Sequence, residues 1–209
     1  SCAGGTTCAL DATLAAGGLD GRGFSLAVRS GQALGWGSNE SSRLGNPTLD
    51  DPANRSVVPL AIAPAARVFG GYHSGCLIDT AGALRCWGSH EPFGLPGTPL
   101  TTPTAIAIPN AIEVVATYAA TCARSADQRL FCVGRGDSGE LLGMGSGATP
   151  VELDLGLTDG FSQLAAGQTH FCALGRDDRV HCWGANDFGQ LGRGGPGGGV
   201  MPAEGITDA

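Results

Sequence analysis

The sequence contains no lysine; all 12 of its basic residues are arginine. That removes Schiff-base chemistry and the phosphate-loop lysine together. Charged residues of every kind make up only 15 %, so the strong helix formers of a bundle are scarce. No apolar run approaches the roughly 20 residues of a membrane-crossing helix, and no transmembrane span is expected. With 19 acidic residues, a net charge of −7 and a pI near 4.9, nucleic acid is a poor bulk partner. Disorder is not expected either, because 42 % hydrophobic residues can sustain burial. What is abundant is glycine and proline, 36 and 12 residues, together 48 of 209. A chain of this length forms a single domain by default, and this composition reads as strands and turns.

Cysteine stands at positions 2, 8, 76, 86, 122, 132, 172 and 182, and six of the eight form three pairs with nine residues between partners. The intervening segments carry central turn signals at Thr80-Ala81-Gly82, Ala126-Asp127-Gln128 and Arg176-Asp177-Asp178. Each therefore predicts a hairpin in which residues 79/83, 78/84, 77/85 and 76/86, and their equivalents, face one another. Opposed Cα atoms then lie within disulfide range. Cys76 is expected to bond Cys86, Cys122 to bond Cys132 and Cys172 to bond Cys182, leaving Cys2 and Cys8 for each other. Such bridges need an oxidising compartment, so a secreted, extracellular or periplasmic protein is expected. Structural zinc usually spaces its ligands two to four residues apart, which disfavours a metal site. Helical Cys-x9-Cys hairpins are disfavoured by the central Gly and Asp turns. Ser1-Cys2 would also suit a lipidated cell-surface lipoprotein, a reading that lacks a preceding apolar segment.

Aligned on Trp36-Gly37, Trp87-Gly88, Val133-Gly134 and Trp183-Gly184, the chain repeats with spacings of 51, 46 and 50 residues. Each unit begins with a Pro-led segment (Pro59, Pro103, Pro150, Pro202). It continues to a small-residue strand (Leu14 to Gly17, Val68 to Gly71, Val114 to Thr117, Leu164 to Gly167), then a hairpin, Trp-Gly and a Gly-rich turn. Four short strands in about 50 residues suit one blade of a β-propeller. The expected fold is all-β: a propeller-like array of four blades, each of four short antiparallel strands, within one domain over 1–209. The units fall at about 14–58, 59–102, 103–149 and 150–201. Residues 1–13 form a partial N-terminal strand segment and 202–209 the opening strand of a further unit. Read tail to head, the two ends join into one motif, so they are expected either to close within the chain or to be completed by another chain.

The unit from Leu164 to Gly192, with Cys172-Ala-Leu-Gly, Cys182-Trp-Gly-Ala-Asn186 and Gly189-Gln-Leu-Gly192, resembles the regulator of chromosome condensation (RCC1-type) repeat family. Weaker copies are Trp36-Gly-Ser-Asn39 with Arg43-Leu-Gly45, Trp87-Gly-Ser-His90 with Phe93-Gly-Leu95, and Val133-Gly with Gly139-Glu-Leu-Leu-Gly143. The resemblance implies a propeller, usually of seven blades, that serves protein recognition. The kelch repeat shares the period but lacks the Gly-Gln-Leu-Gly tail.

Several motifs have plainer readings inside the repeat. Gly136-Asp137-Ser138-Gly139 matches a serine-protease nucleophile by letter, yet stands in register with Asn186-Asp187-Phe188-Gly189 as a turn. Gly134 to Gly139 fits Gly-x-Gly-x-x-Gly without the helix that a dinucleotide site requires, and Arg135-Gly136-Asp137 is an adhesion tripeptide by composition alone. His73, His90, His170 and His181 share no metal-site spacing, and His170 is read as a structural hydrogen-bonding residue. Recurrence of Trp36, Trp87 and Trp183 once per unit favours inter-blade packing over a ligand-stacking ring. The acidic turns at Asp50-Asp51, Asp127, Asp177-Asp178 and Asp187 lack the ligand density of a calcium loop. Asn39-Glu-Ser41 and Asn54-Arg-Ser56 are formal glycosylation sequons.

No catalytic, cofactor or metal residues are expected. The reading is a non-catalytic extracellular module that binds another protein, or copies of itself in an assembly, through blade-end loops. The long insertion from Asn46 to Ser56 is the first candidate surface, with Asp50, Asp51 and Arg55 as partner-binding residues. The competing classes are an extracellular hydrolase or lyase on a propeller scaffold, carbohydrate binding through the tryptophans, and guanine-nucleotide exchange.

Overall fold

The structure is a computed structural model that describes residues 13–19, 21–47, 54–60, 64–195 and 199–203. Cys2, Cys8, Asp50 and Asp51 lie outside the described residues, as does the side chain of Arg55. Among the described residues, sixteen strands form four sheets. The first holds β1 (Leu14–Leu19), β2 (Arg22–Arg29), β3 (Gln32–Gly37) and β4 (Asn54–Pro59). The second holds β5 (Ala65–Gly70), β6 (Ser74–Asp79), β7 (Leu84–Gly88) and β8 (Leu100–Ala105). The third holds β9 (Ala111–Ala116), β10 (Ala120–Ser125), β11 (Leu130–Gly134) and β12 (Gly147–Leu153). The fourth holds β13 (Phe161–Ala166), β14 (His170–Gly175), β15 (Val180–Gly184) and β16 (Met201–Pro202). Within each sheet, strands pair antiparallel in chain order. These are the four blades of a β-propeller. Each Pro-led segment is the outermost strand of the blade that precedes it, an edge position where a missing N–H costs little.

The hairpins have the register that the cysteine spacing calls for. Ile78 faces Leu84, Leu77 faces Arg85 and Cys76 faces Cys86. Disulfides join Cys76 to Cys86, Cys122 to Cys132 and Cys172 to Cys182, each across 4.1 Å between Cα atoms. In the first blade Leu26 faces Gly35 at the same place, and the space beside Gly35 is filled by Leu44 and Leu60. After each pair the chain passes a bulge between the third and fourth strands, at Gly35/Gly37, Cys86/Gly88 and Cys132/Gly134. The glycine that ends the third strand of each blade has positive φ: +100 at Gly37, +105 at Gly88, +126 at Gly134 and +108 at Gly184. A Cβ at Gly88 would stand 2.3 Å from the His73 carbonyl oxygen, so the bulge admits only glycine there.

Successive blades pack through their innermost strands, β1 on β5, β5 on β9 and β9 on β13. Side chains alternate, one face looking back to the preceding blade and the other forward to the next. Leu26, Leu44 and Leu60 of the first blade meet Val68, Leu77 and Trp87 of the second. Cys76, Cys86 and Phe93 meet Val114, Ala123 and Phe131 of the third. Cys122, Cys132 and Leu141 meet Leu164, Phe171 and Trp183 of the fourth. Trp87 and Trp183 are fully buried in these joints. The Trp87 Nε1–H donates to the Arg43 carbonyl at 2.7 Å, and the Trp183 Nε1–H donates to the Glu140 carbonyl at 3.0 Å. Both acceptors occupy the same place in the loop after the Trp-Gly bulge of the preceding blade.

Two carboxylates tune stability in opposite directions. In the β6–β7 turn the Asp79 carboxylate accepts from the N–H groups of Ala83 and Ala81, and from Arg85 Nε. The Ala83 N–H above all, with Arg85 and the Ala81 N–H, holds Asp79 below its ordinary range. Its contribution is present above the unfolded value and is lost as pH falls through the lowered one. Glu140 is buried, its Oε2 accepting the Ser138 N–H at 2.9 Å, and burial raises its pKa. It stabilises the fold at low pH, and that contribution is lost as pH rises from the ordinary glutamate value through the raised one.

Two outcomes follow. Trp183→Phe, which keeps the ring but loses the donor, lowers unfolding free energy by about 1–3 kcal/mol. Trp36→Phe costs under about 0.5 kcal/mol, because Trp36 is half-buried and its Nε1 has no partner among the described residues. Equal midpoint shifts in urea would refute the difference. In thermal melts from about pH 3 to 7, Asp79→Asn flattens the fall in Tm on the acid side, and Glu140→Gln gains more at neutral pH than at pH 4.

Candidate binding surface

Because each blade is an antiparallel meander, the links from first to second strand and from third to fourth strand emerge at one end of the propeller. The tight turns from second to third strand emerge at the other. Long loops crowd the first end, and polar and aromatic side chains from three blades meet there.

Arg43 is the centre of this end. It is 1 % exposed, with Nη1 donating to the Arg22 carbonyl at 2.6 Å and Nη2 lying 3.4 Å from Glu40 Oε2 and 2.6 Å from His73 Nδ1. A guanidinium has no lone pair to offer, so His73 accepts through Nδ1 and carries its ring proton on Nε2. Arg22 Nη1 closes on Glu40 Oε1 at 2.6 Å, and Arg22, joined by Arg43, holds Glu40 below the usual carboxylate range. The His73 ring packs edge-on against Tyr118 of the third blade at 5.7 Å and against Tyr72 at 6.1 Å. Tyr118 in turn donates its hydroxyl to Glu91 Oε1 of the second blade at 3.1 Å, while Ser89 Oγ donates to Glu91 Oε2 at 3.1 Å. The Glu91 hydrogen bond, with burial behind it, raises the Tyr118 pKa. The Tyr118 N–H donates to the Gln168 carbonyl of the fourth blade at 2.8 Å. Loops from four blades are thus tied into one surface, on which Tyr72, His73 and Tyr118 remain half-exposed. Fixed aromatic and polar side chains of this kind are suited to protein contact, because little entropy remains to be lost.

Asn39 and Asn186 shape the same loops. Asn39 Oδ1 accepts the Leu44 N–H at 2.9 Å and its Nδ2 donates to the Asn46 carbonyl at 3.0 Å. Asn186 repeats the pattern with the Leu191 N–H and the Gly195 carbonyl. Asn39 is buried and its amide is spoken for, so the first sequon cannot carry a glycan in the folded chain. The Asn54 side chain of the second sequon lies outside the described residues. In Gly136 to Gly139 the Gly139 N–H bonds the Gly136 carbonyl, as the Gly189 N–H bonds the Asn186 carbonyl. The serine-protease letters are this repeated turn. Arg135 and Asp137 pair with each other at 3.0 Å, which folds the adhesion tripeptide on itself. The His170 ring lies over Gly167 and makes no hydrogen bond among the described residues, so its role differs from the hydrogen-bonding one expected. Burial lowers its pKa.

At the opposite end, a cleft of about 400 Å³ between the third and fourth blades is lined by Gln128, Arg129, Glu152, Asp154 and Phe161. Arg129 spans it, paired with Glu152 and lying 4.7 Å over the Phe131 ring. No group of three or more His, Cys, Asp or Glu side chains able to hold a metal occurs among the described residues. No helix among them is long and apolar enough to cross a membrane.

Residues 161–190 match the regulator of chromosome condensation (RCC1) repeat. No curated protein sequence matches the chain. Among solved structures, Prp20p from Saccharomyces cerevisiae, described with its binding properties to Gsp1p and histones, is similar with a TM-score of 0.75 at 19 % identity, covering 88 % of this chain and 49 % of that one. Yeast RCC1 (Prp20) bound by Kap60 gives 0.73 at 18 %, covering 88 % and 47 %. Human WBSCR16 gives 0.70 at 21 %, covering 86 % and 48 %. The chain spans about half the length of these structures. The fourth blade carries an RCC1 repeat, and the fold of all four blades is the β-propeller fold of these structures.

Proposed function

We propose that the chain is a non-catalytic, extracellular protein-binding or assembly module whose contact surface is the loop-bearing end centred on Tyr72, His73 and Tyr118. The observation that carries this reading is the rigid cluster itself. Half-exposed aromatic rings are held across blade boundaries by Arg43 and Glu91, which pre-pays the ordering cost of binding. Asp50 and Asp51, which fall between β3 and β4 in the sequence, and Arg55, near the start of β4, are proposed to extend the surface. The three hairpin disulfides support an oxidising compartment, and so a secreted or periplasmic setting. The yeast propeller described with Gsp1p, histones and Kap60 supports protein recognition on such a scaffold.

Crosslinking capture from a native extracellular fraction tests the surface. Tyr72→Ala and Tyr118→Ala are expected to reduce recovery of the captured protein about tenfold or more each, whereas Arg129→Ala at the opposite end leaves it unchanged. Loss with Arg129→Ala alone would place contact at the other end and overturn the proposal. Thiol titration of unfolded, unreduced protein is expected to find none of the six hairpin cysteines reactive. Six reactive thiols would overturn the compartment.

A further inference from the structure

Three threonines stand immediately before proline, in Thr98-Pro99, Thr102-Pro103 and Thr149-Pro150, and all three are exposed on the outer edges of the two middle blades. Thr102 lies in β8 and Thr149 in β12, each at the same irregularity of its sheet. In the second blade Cys86 faces Thr104 and Gly88 faces Leu100, so Trp87 alone stands opposite Thr101, Thr102 and Pro103. In the third, Cys132 faces Val151 and Gly134 faces Gly147, so Val133 alone stands opposite Ala148, Thr149 and Pro150. The surplus residues push the outer strand out of the ladder. Proline keeps the residue before it extended and offers no N–H to a neighbouring strand. The Thr102 and Thr149 hydroxyls make no hydrogen bond among the described residues, whereas Thr104 Oγ1 donates to the Thr102 carbonyl at 3.1 Å. Thr80 and Thr158 are exposed too, but both lie in turns, neither precedes proline, and the Thr80 N–H is held by the Pro64 carbonyl.

An extended, unbonded hydroxyl beside proline, lifted clear of a sheet edge, can enter the groove of a transferase, and threonine clustered with proline is a composition that carries O-linked sugar. We propose that Thr102 and Thr149 are acceptors of O-linked glycans, with Thr98 a third on the loop that leads into β8. The step joins the threonine Oγ to the anomeric carbon of a sugar phosphate donor. The bond from that carbon to the phosphate oxygen breaks, the hydroxyl proton passes to a base of the transferase, and the phosphate-bearing carrier leaves. The assignment rests on the exported setting proposed above, where sugars on lipid phosphates are the donors at hand. A glycan at each bulge also shields the edge backbone of β8 and β12 from pairing with another chain.

Protein purified from the native extracellular fraction, then unfolded, reduced, digested at arginine and sequenced by electron-transfer mass spectrometry, tests it. The peptides of residues 86–124 and 136–176 are expected to carry hexose or N-acetylhexosamine increments that map to Thr102 and Thr149, with none at Thr80 or Thr158. Thr102→Val and Thr149→Val each remove the increment at its own position and leave the other in place. Both side chains are exposed, so the melting temperature stays unchanged, which separates a lost acceptor from a lost fold. Peptides without added mass overturn the proposal. So does a phosphate increment at these threonines, sugar spread equally over Thr80 and Thr158, or an increment on the 136–176 peptide that survives Thr149→Val. An unreduced portion of the same sample, titrated for thiols, separates the two readings. Blocked cysteines with bare threonines refute the acceptor sites and leave the exported setting standing, whereas glycosylated threonines on a chain with six reactive thiols keep the sites and discard the setting.

Discussion

The indole N–H of Trp87 or Trp183, reaching a carbonyl in the loop of the blade before it, fixes how one sheet meets the next. A four-stranded sheet of this size cannot bury both of its faces alone, and apolar burial is indifferent to small rotations. A buried donor is not, because leaving it unpaired costs about 1–3 kcal/mol. The indole therefore sets the angle while leucine, valine and the disulfide sulfurs supply the area. Between the second and third blades Val133 has no N–H to give. There the Pro92 carbonyl lies against Gly134, and Phe93 and Phe131 fill the joint. The Glu91 to Tyr118 hydrogen bond ties the same two blades at their loop-bearing end.

The same loops that accept the indoles build the polar surface. Arg43 shows why: its carbonyl receives Trp87 while its guanidinium gathers Arg22, Glu40 and His73. Packing between blades and the exposed chemistry at their ends are two consequences of one loop conformation. Asn39 and Asn186 enforce that conformation by holding the backbone five residues further on. An arginine buried to this extent is tolerable because its planar group finds a carbonyl, a carboxylate and an imidazole within reach.

The parts of this molecule that repeat were the parts that could be read in advance. Hairpin register followed from the cysteine spacing because both partners lie in one local turn, and the Trp-Gly pairs marked the period of the blades. The Arg43 to His73 contact was not legible, since it joins residues 30 apart through two different loops and occurs in one joint only. Tyr118 and Glu91 escaped for the same reason. The Asn39 sequon misled because a three-letter acceptor pattern carries no information about burial. His170 misled because a ring stacked over glycine and a ring that donates a proton occupy the same place in sequence. Asp50, Asp51 and Arg55 drew attention by loop length, whereas the side chains that cluster are Glu40 and Arg43 from the start of that same link and Tyr72, His73, Glu91 and Tyr118 from other links.

Each disulfide closes a span of only 10 residues within one hairpin. A chain threading into an oxidising space can therefore lock each cysteine-bearing hairpin as soon as it emerges, before the cysteines of the next one arrive. Wrong partners are separated from right ones by time as well as by distance. In such a space oxidation can keep pace with the emerging chain, with little call for an isomerase to reshuffle the result.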